Sequence, residues 1–214
     1  MNSNSVTYIG FVQDHSGSMF NNKQLAMDNF NEQRAKLLKE DDETMDNIVT
    51  IVEFDDDIQC NINNTPISEI KEMKEWWTGG MTALYDAIAF CIKNIKQKMD
   101  SDTREDKAAL IVIQTDGHEN QSSDYSGEKG RQRINKMINE LEDTKKWTFV
   151  FLGENIDKEV AMELGFKANN IMSHNSNNVK YAYSITTDGL DNYITSRKSG
   201  NTRINNFYNK PEID

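Results

Sequence analysis

The residues best suited to chemistry lie at the end of the apolar run "YIGFV", where the chain reads Gln13-Asp14-His15-Ser16-Gly17-Ser18-Met19. One carboxylate and two hydroxyls fall there on alternate residues, where a strand-like run gives way to a helical pattern. Donors of the same kind recur far along the chain, in Met81-Thr82-Ala83 after a glycine pair and in Thr115-Asp116-Gly117 after "AALIVIQ". Asp14, Ser16, Ser18, Thr82 and Asp116 together offer two carboxylates and three hydroxyls, all hard oxygen donors, with no cysteine among them. Such a set suits Mg²⁺, Mn²⁺ or Ca²⁺ rather than zinc or copper, and Mg²⁺ best. Mg²⁺ takes roughly six oxygens and keeps several waters, so this set would leave a coordination position open. Helix capping explains Ser18 alone; it leaves the carboxylate and the alternate hydroxyl without a task.

Three separated segments can meet only if the fold carries them to one place. Residues 7–13 form an almost wholly apolar run, the pattern of a central strand covered on both faces. Ala26, Phe30, Gln33 and Leu37 step at helical spacing after Ser18. "NIVTIVEF" predicts a strand, and "DDDIQCNIN" a turn followed by a short edge strand over 58–62. "ISEIKEMKEWW" predicts a short helical segment stopped at Thr78-Gly79-Gly80, where glycine permits positive φ and close backbone approach. Helices are expected over 83–99, 128–143, 157–164 and 178–199, with strands over 108–115 and 147–153 and a brief last strand at "NNIMSH". Residues 201–214 read as a polar, mobile tail beyond a domain spanning 1–200. Alternating strands and helices define an α/β fold: a doubly wound, mostly parallel sheet with one antiparallel edge strand and helices on both faces. Ligands of such sheets sit at the carboxyl ends of the strands, near the switch in strand order, where all three donor segments end.

Bulk properties narrow the partners. A net charge of −11 gives the field the wrong sign for nucleic acid or an anionic membrane. No apolar run approaches the ~18 residues of a membrane span, and "MNSNS" lacks the basic start of an export signal. Cys60 and Cys91 have no motif spacing and read as reduced thiols, so the expected compartment is the cytoplasm. Abundant Asn, Ile and Lys, with Lys ahead of Arg, point to an AT-rich genome, bacterial or phage.

The arrangement resembles the von Willebrand factor A-type domain with its metal-ion-dependent adhesion site. The family's D-x-S-x-S falls on Asp14-His15-Ser16-Gly17-Ser18, its threonine on Thr82 in "GGMTALYDAI", and its second aspartate on Asp116 in "TDG". "TDGHENQSS" and "WTFVFLGENIDKEVAMELGF" are similar to compact single-domain bacterial and phage members, and the likeness covers about residues 6–199. The resemblance implies that Ser16 and Ser18 bind the ion directly, that Asp14 and Asp116 hold it mainly through water, and that Thr82 is direct or water-bridged. It implies a binding module whose ion captures an acidic residue of a protein partner, in some relatives within ATPase-containing or stress-response assemblies. A metal-dependent hydrolase of phosphate esters is the alternative. It lacks a second metal cluster, a basic clamp and a phosphate-cradling G-x-x-x-x-G-K-[ST] motif.

Other residues near these segments carry weaker expectations. His15 and His118 read as exposed loop histidines; the sharper alternative, a second metal site or proton-transfer pair, requires their rings to lie close. Gln13 and Gln114 read as a hydrogen-bonded buttress or as amides serving nearby loops. Asp55-Asp56-Asp57 reads as a solvated turn on the rim of the same face, and Asp86 as a helix-dipole partner. Of Trp76 and Trp77, one is expected in the core with the other covering it.

Overall fold

A computed structural model describes residues 4–156 and 158–208. Its strands are β1 (Ser5–Asp14), β2 (Met45–Phe54), β3 (Ile58–Pro66), β4 (Asp106–Thr115), β5 (Trp147–Glu154) and β6 (Ile171–His174). They form one sheet in the order β3-β2-β1-β4-β5-β6, in which β3 runs antiparallel to β2 and the other pairings are parallel. The helices are α1 (Lys23–Lys39), α2 (Leu84–Ser101), α3 (Gly127–Asp143), α4 (Lys158–Glu163) and α5 (Val179–Lys198). This is the expected doubly wound architecture. Asp157, the expected first residue of α4, lies outside the described residues.

The near-continuous apolar runs of β1 and β4 need cover on both faces, and they receive it. One core joins Val6, Tyr8 and Val12 to α2, α3 and α4 through Ile88, Ile92, Ile134 and Ala161. The other joins Ile9 and Phe11 to α1 and α5 through Phe30, Leu37, Leu190 and Ile194. At Gly10 a β-carbon would come within 2.5 Å of the Cys91 sulfur, so α2 lies directly on the backbone of β1. Glycine at this position sets how closely helix and sheet approach.

Two expectations fail here. Residues 67–77 are not a helix: a single 3₁₀ turn at Ile67–Glu69 is followed by irregular chain as far as α2. That strap takes its bonds from α1 instead. The Asn31 side chain donates to the Met73 carbonyl and accepts the Met73 N–H, and Arg34 Nε donates to the Ile70 carbonyl at 2.6 Å. Tertiary bonds to the backbone have outweighed local helix preference. Nor is 201–208 a loose polar tail. Phe207 and Tyr208 are buried in the second core, the Phe207 N–H reaches Asn170 Oδ1, and Ile204 N–H reaches Thr148 Oγ1. The domain therefore extends through residue 208, and 209–214 lie outside the described residues.

Candidate metal centre

β1 and β4 are parallel neighbours with Gln13 opposite Gln114, so they leave the sheet at the same edge. From β1 the chain proceeds to β2 on one side, while β4 lies on the other, and the crevice of a reversing strand order opens between them. Asp14 is fully buried there. Its Oδ1 accepts the Ser16 N–H at 2.7 Å and its Oδ2 accepts the Thr115 hydroxyl at 2.5 Å. The Ser16 and Ser18 hydroxyls are 3.0 Å apart, and Ser18 donates to Asp116 Oδ1 at 2.6 Å. Capping does not consume these serines. Ser16 precedes the 3₁₀ turn Gly17–Asn21 without a side-chain cap bond, and α1 begins only after Asn22.

Thr82 arrives from the strap, whose end is bonded to both other loops. Gly79 N–H donates to the His15 carbonyl at 2.9 Å and Gly17 N–H to the Gly80 carbonyl at 3.3 Å. On the far side the Thr82 N–H donates to Asn120 Oδ1, while its carbonyl accepts the N–H groups of Asn120 and Gln121. A β-carbon on Gly117 would lie 3.2 Å from Thr82 Oγ1 and 3.8 Å from both Asp14 Oδ2 and Ser18 Oγ. Glycine at 117 thus leaves open a cradle that oxygens of the Asp14–Ser18 loop and of Thr82 face, and Asp116 joins them through its bond from Ser18. The structure brings together every one of Asp14, Ser16, Ser18, Thr82 and Asp116.

The cradle is electrostatically unbalanced. Burial pushes the Asp14 carboxyl above its ordinary range. Asp116 is pushed up to about 6, first by burial and then by the charges of Asp14 and Glu154. No basic side chain is paired with either carboxylate among the described residues. A divalent cation would supply the missing charge, and the donors present are the oxygens it prefers. No group of three or more His, Cys, Asp or Glu side chains is placed to hold an ion among the described residues. A centre here must draw on hydroxyls, and this one has three.

Several residues of the site lay outside the sequence reading. Glu154 ends β5 at the same edge, a position the strand-end rule could have flagged. Glu119 accepts the N–H groups of Tyr85, Gln121 and Ser122, and Asp86 accepts those of Ser123, Asp124 and Tyr125. Asp86 does more than face a helix dipole: with Glu119 it lashes the loop after β4 to the start of α2. The run "ENQSS", an acid followed by small hydroxyls, was the available signal.

His15 is not an exposed loop residue; it is fully buried. Its ring stacks on Trp76 at 4.2 Å and meets Trp77 at 4.4 Å, and Nδ1–H donates to the Trp77 carbonyl at 2.9 Å. Burial pushes its pKa down to about 4, so the ring is neutral at ordinary pH. His118 is exposed, and the rings against His15 are tryptophans, which removes the histidine-pair alternative. Gln114 donates to the Tyr183 hydroxyl at 2.7 Å, tying the β4 end to α5 rather than across to Gln13, whose Oε1 has no partner among the described residues. The Asp55–Asp57 turn does reach the rim: Asp56 Oδ1 accepts the Met81 N–H, and the Asp55 carbonyl accepts that of Ala83.

Fold and site together define a doubly wound α/β domain with a hydroxyl-rich oxygen cluster at its switch point. The model of the von Willebrand factor type A domain matches residues 9–190, and the chain belongs to that family. A search of the curated proteins finds no match. Among solved structures, proximal thread matrix protein 1 from the mussel byssus is similar at 16% identity and a TM-score of 0.59, over 90% of this chain and 48% of that one. A form of the same protein described as having a zinc-occupied MIDAS motif matches at 14% identity and a TM-score of 0.55, over 91% and 48%. The manganese-loaded TRAP protein of Plasmodium vivax matches at 13% identity and a TM-score of 0.54, over 84% and 72%. The chain thus spans about half the length of the mussel protein. At these identities the likeness establishes the fold.

Proposed function

We propose that this chain is a divalent-metal-dependent protein-binding module. Asp14, Ser16, Ser18, Thr82 and Asp116 hold the ion, Mg²⁺ in the first instance, directly or through water. When bound, the ion supplies a Lewis-acidic positive charge with a position open to a carboxylate of a protein partner. One observation carries the reading: Asp14, Ser18 and Thr82 face the space that glycine leaves at 117, Ser16 and Asp116 join them through Ser18, and neither carboxylate has a basic partner among the described residues. Family relatives with zinc-occupied or manganese-loaded sites make a divalent ion the natural occupant. Binding is favoured over hydrolysis because His15, the histidine of the cluster's own loop, is fully buried in a tryptophan stack, out of reach of a substrate's proton.

The compartment we assign is the cytoplasm, on the strength of the free thiols Cys60 and Cys91. No helix among the described residues is long and apolar enough to cross a membrane. Affinity capture from lysate in Mg²⁺ against EDTA, with Ser16→Ala as control, tests the function. A prey retained only with ion and intact serine is expected. Equal capture in EDTA, or by Ser16→Ala, contradicts it.

A further inference from the structure

The oxygen cluster shares a wall with a groove that the metal reading does not use. Trp76 and Trp77, which hold His15 between Asp14 and Ser16, also line a cavity of about 360 Å³ together with Met27 and Lys23 of α1 and Lys74 and Glu75 of the strap. Trp76 is buried and Trp77 half-buried, while Lys23 and Lys74 are exposed. At the groove's lip Phe20 stands 61% exposed with Lys23 Nζ 4.6 Å over its ring, two residues beyond Ser18. Met81, beside Thr82, is 47% exposed. Large apolar side chains thus border the cluster on both the Ser18 and the Thr82 sides.

Charge decides what would lie there. The chain has 35 acidic residues against 24 basic ones, yet two lysines and one acid border this groove. Neither lysine is ion-paired among the described residues; Lys23 meets only the Phe20 ring. A basic, aromatic groove in a chain of net charge −11 is complementary to a partner that is itself acidic. Free lysines on flexible stems accept a second carboxylate, and Met27 with the tryptophans offers apolar surface between them.

We infer that the partner binds as an acidic linear segment with two points of attachment: one carboxylate on the metal centre, and a second acidic residue with an adjacent apolar side chain in the Lys23–Lys74–Trp77 groove. This rests on the metal-dependent reading above and names the partner's chemistry. It also explains how a strongly acidic module could select an acidic ligand: attraction is confined to the ion and the groove, within the ~8 Å that physiological salt leaves unscreened.

The test is to pan a random-peptide phage library on the full chain in Mg²⁺, then measure affinities of the enriched peptides for wild type, Lys23→Glu/Lys74→Glu and Ser16→Ala. Both lysines are exposed, so the double variant keeps the fold, which its melting curve verifies. The expected peptides carry two acidic residues with an aromatic or aliphatic neighbour. The lysine double variant weakens them on the order of ten-fold or more, and Ser16→Ala or EDTA abolishes them. Quenching or shift of tryptophan emission accompanies binding, because Trp76 and Trp77 line the groove. Metal-dependent peptides indifferent to the lysine reversal overturn the groove and leave the metal reading standing. Basic or purely apolar peptides overturn the acidic segment. Enrichment without any metal dependence, or none at all, overturns both.

Discussion

A β-carbon at 117 would stand where Thr82, Asp14 and Ser18 face one another, so Gly117→Ala probes that space with one methyl group. Gly117 is not among the residues at positive φ, so alanine meets no backbone strain. The expected result is a loss of ion affinity of about ten-fold or more, read by calorimetric titration. The melting curve should change by less than about 1 kcal/mol in stability. The neighbouring carboxylates give a second prediction. Asp116 is raised from 3.8 to about 6, so the folded state holds its proton more tightly than the unfolded chain does. Its contribution to stability is therefore fully present below pH 3.8 and lost as the pH rises through about 6. In EDTA, Asp116→Asn should flatten the fall in melting temperature across that window. In wild type, protons should compete with the ion below pH about 6, weakening it. A profile identical in wild type and Asp116→Asn would show that burial does not act on this group.

At the scale of elements, the central strands were readable because both flanks of β1 and β4 are covered, which forces near-continuous apolar runs. The donor set was readable for a related reason: each donor segment ends a strand or a glycine turn. The strap over 67–83 was not. Its helical spacing is real, but Asn31 and Arg34, on a helix far upstream, take its backbone bonds. Burial of His15 depended likewise on two tryptophans some sixty residues later. The docked end is the third case. Phe207 and Tyr208 stand out in "NTRINNFYNK", but their seat is a notch in α5 where a β-carbon on Gly189 would fall 2.5 Å from the Phe207 ring and 2.8 Å from its carbonyl oxygen. Gly189→Ala should therefore release that segment despite alanine's better helix propensity. The expectation is a loss of about 1–3 kcal/mol in denaturant unfolding and faster hydrogen exchange at Phe207 and Tyr208. An unchanged or higher stability would mean that the seat is not formed.

Across the whole molecule, charge and topology act together. The chain carries 35 acidic residues against 24 basic ones, the two central carboxylates of its crevice have no basic partner among the described residues, and the doubly wound order holds that crevice open. Binding a divalent ion should relieve this imbalance and stabilise the fold. At free ion a hundred times its dissociation constant, linkage gives about 2.7 kcal/mol. For a chain of this size that is a rise in melting temperature of roughly 5–10 °C. The most direct measurement is the melting temperature in EDTA and across a Mg²⁺ titration, repeated with Mn²⁺, for wild type, Asp14→Ala and Ser16→Ala. A saturable rise in wild type that both variants lose is the predicted result. No rise with either ion, or an equal rise in the variants, would contradict the claim that these oxygens hold a cation.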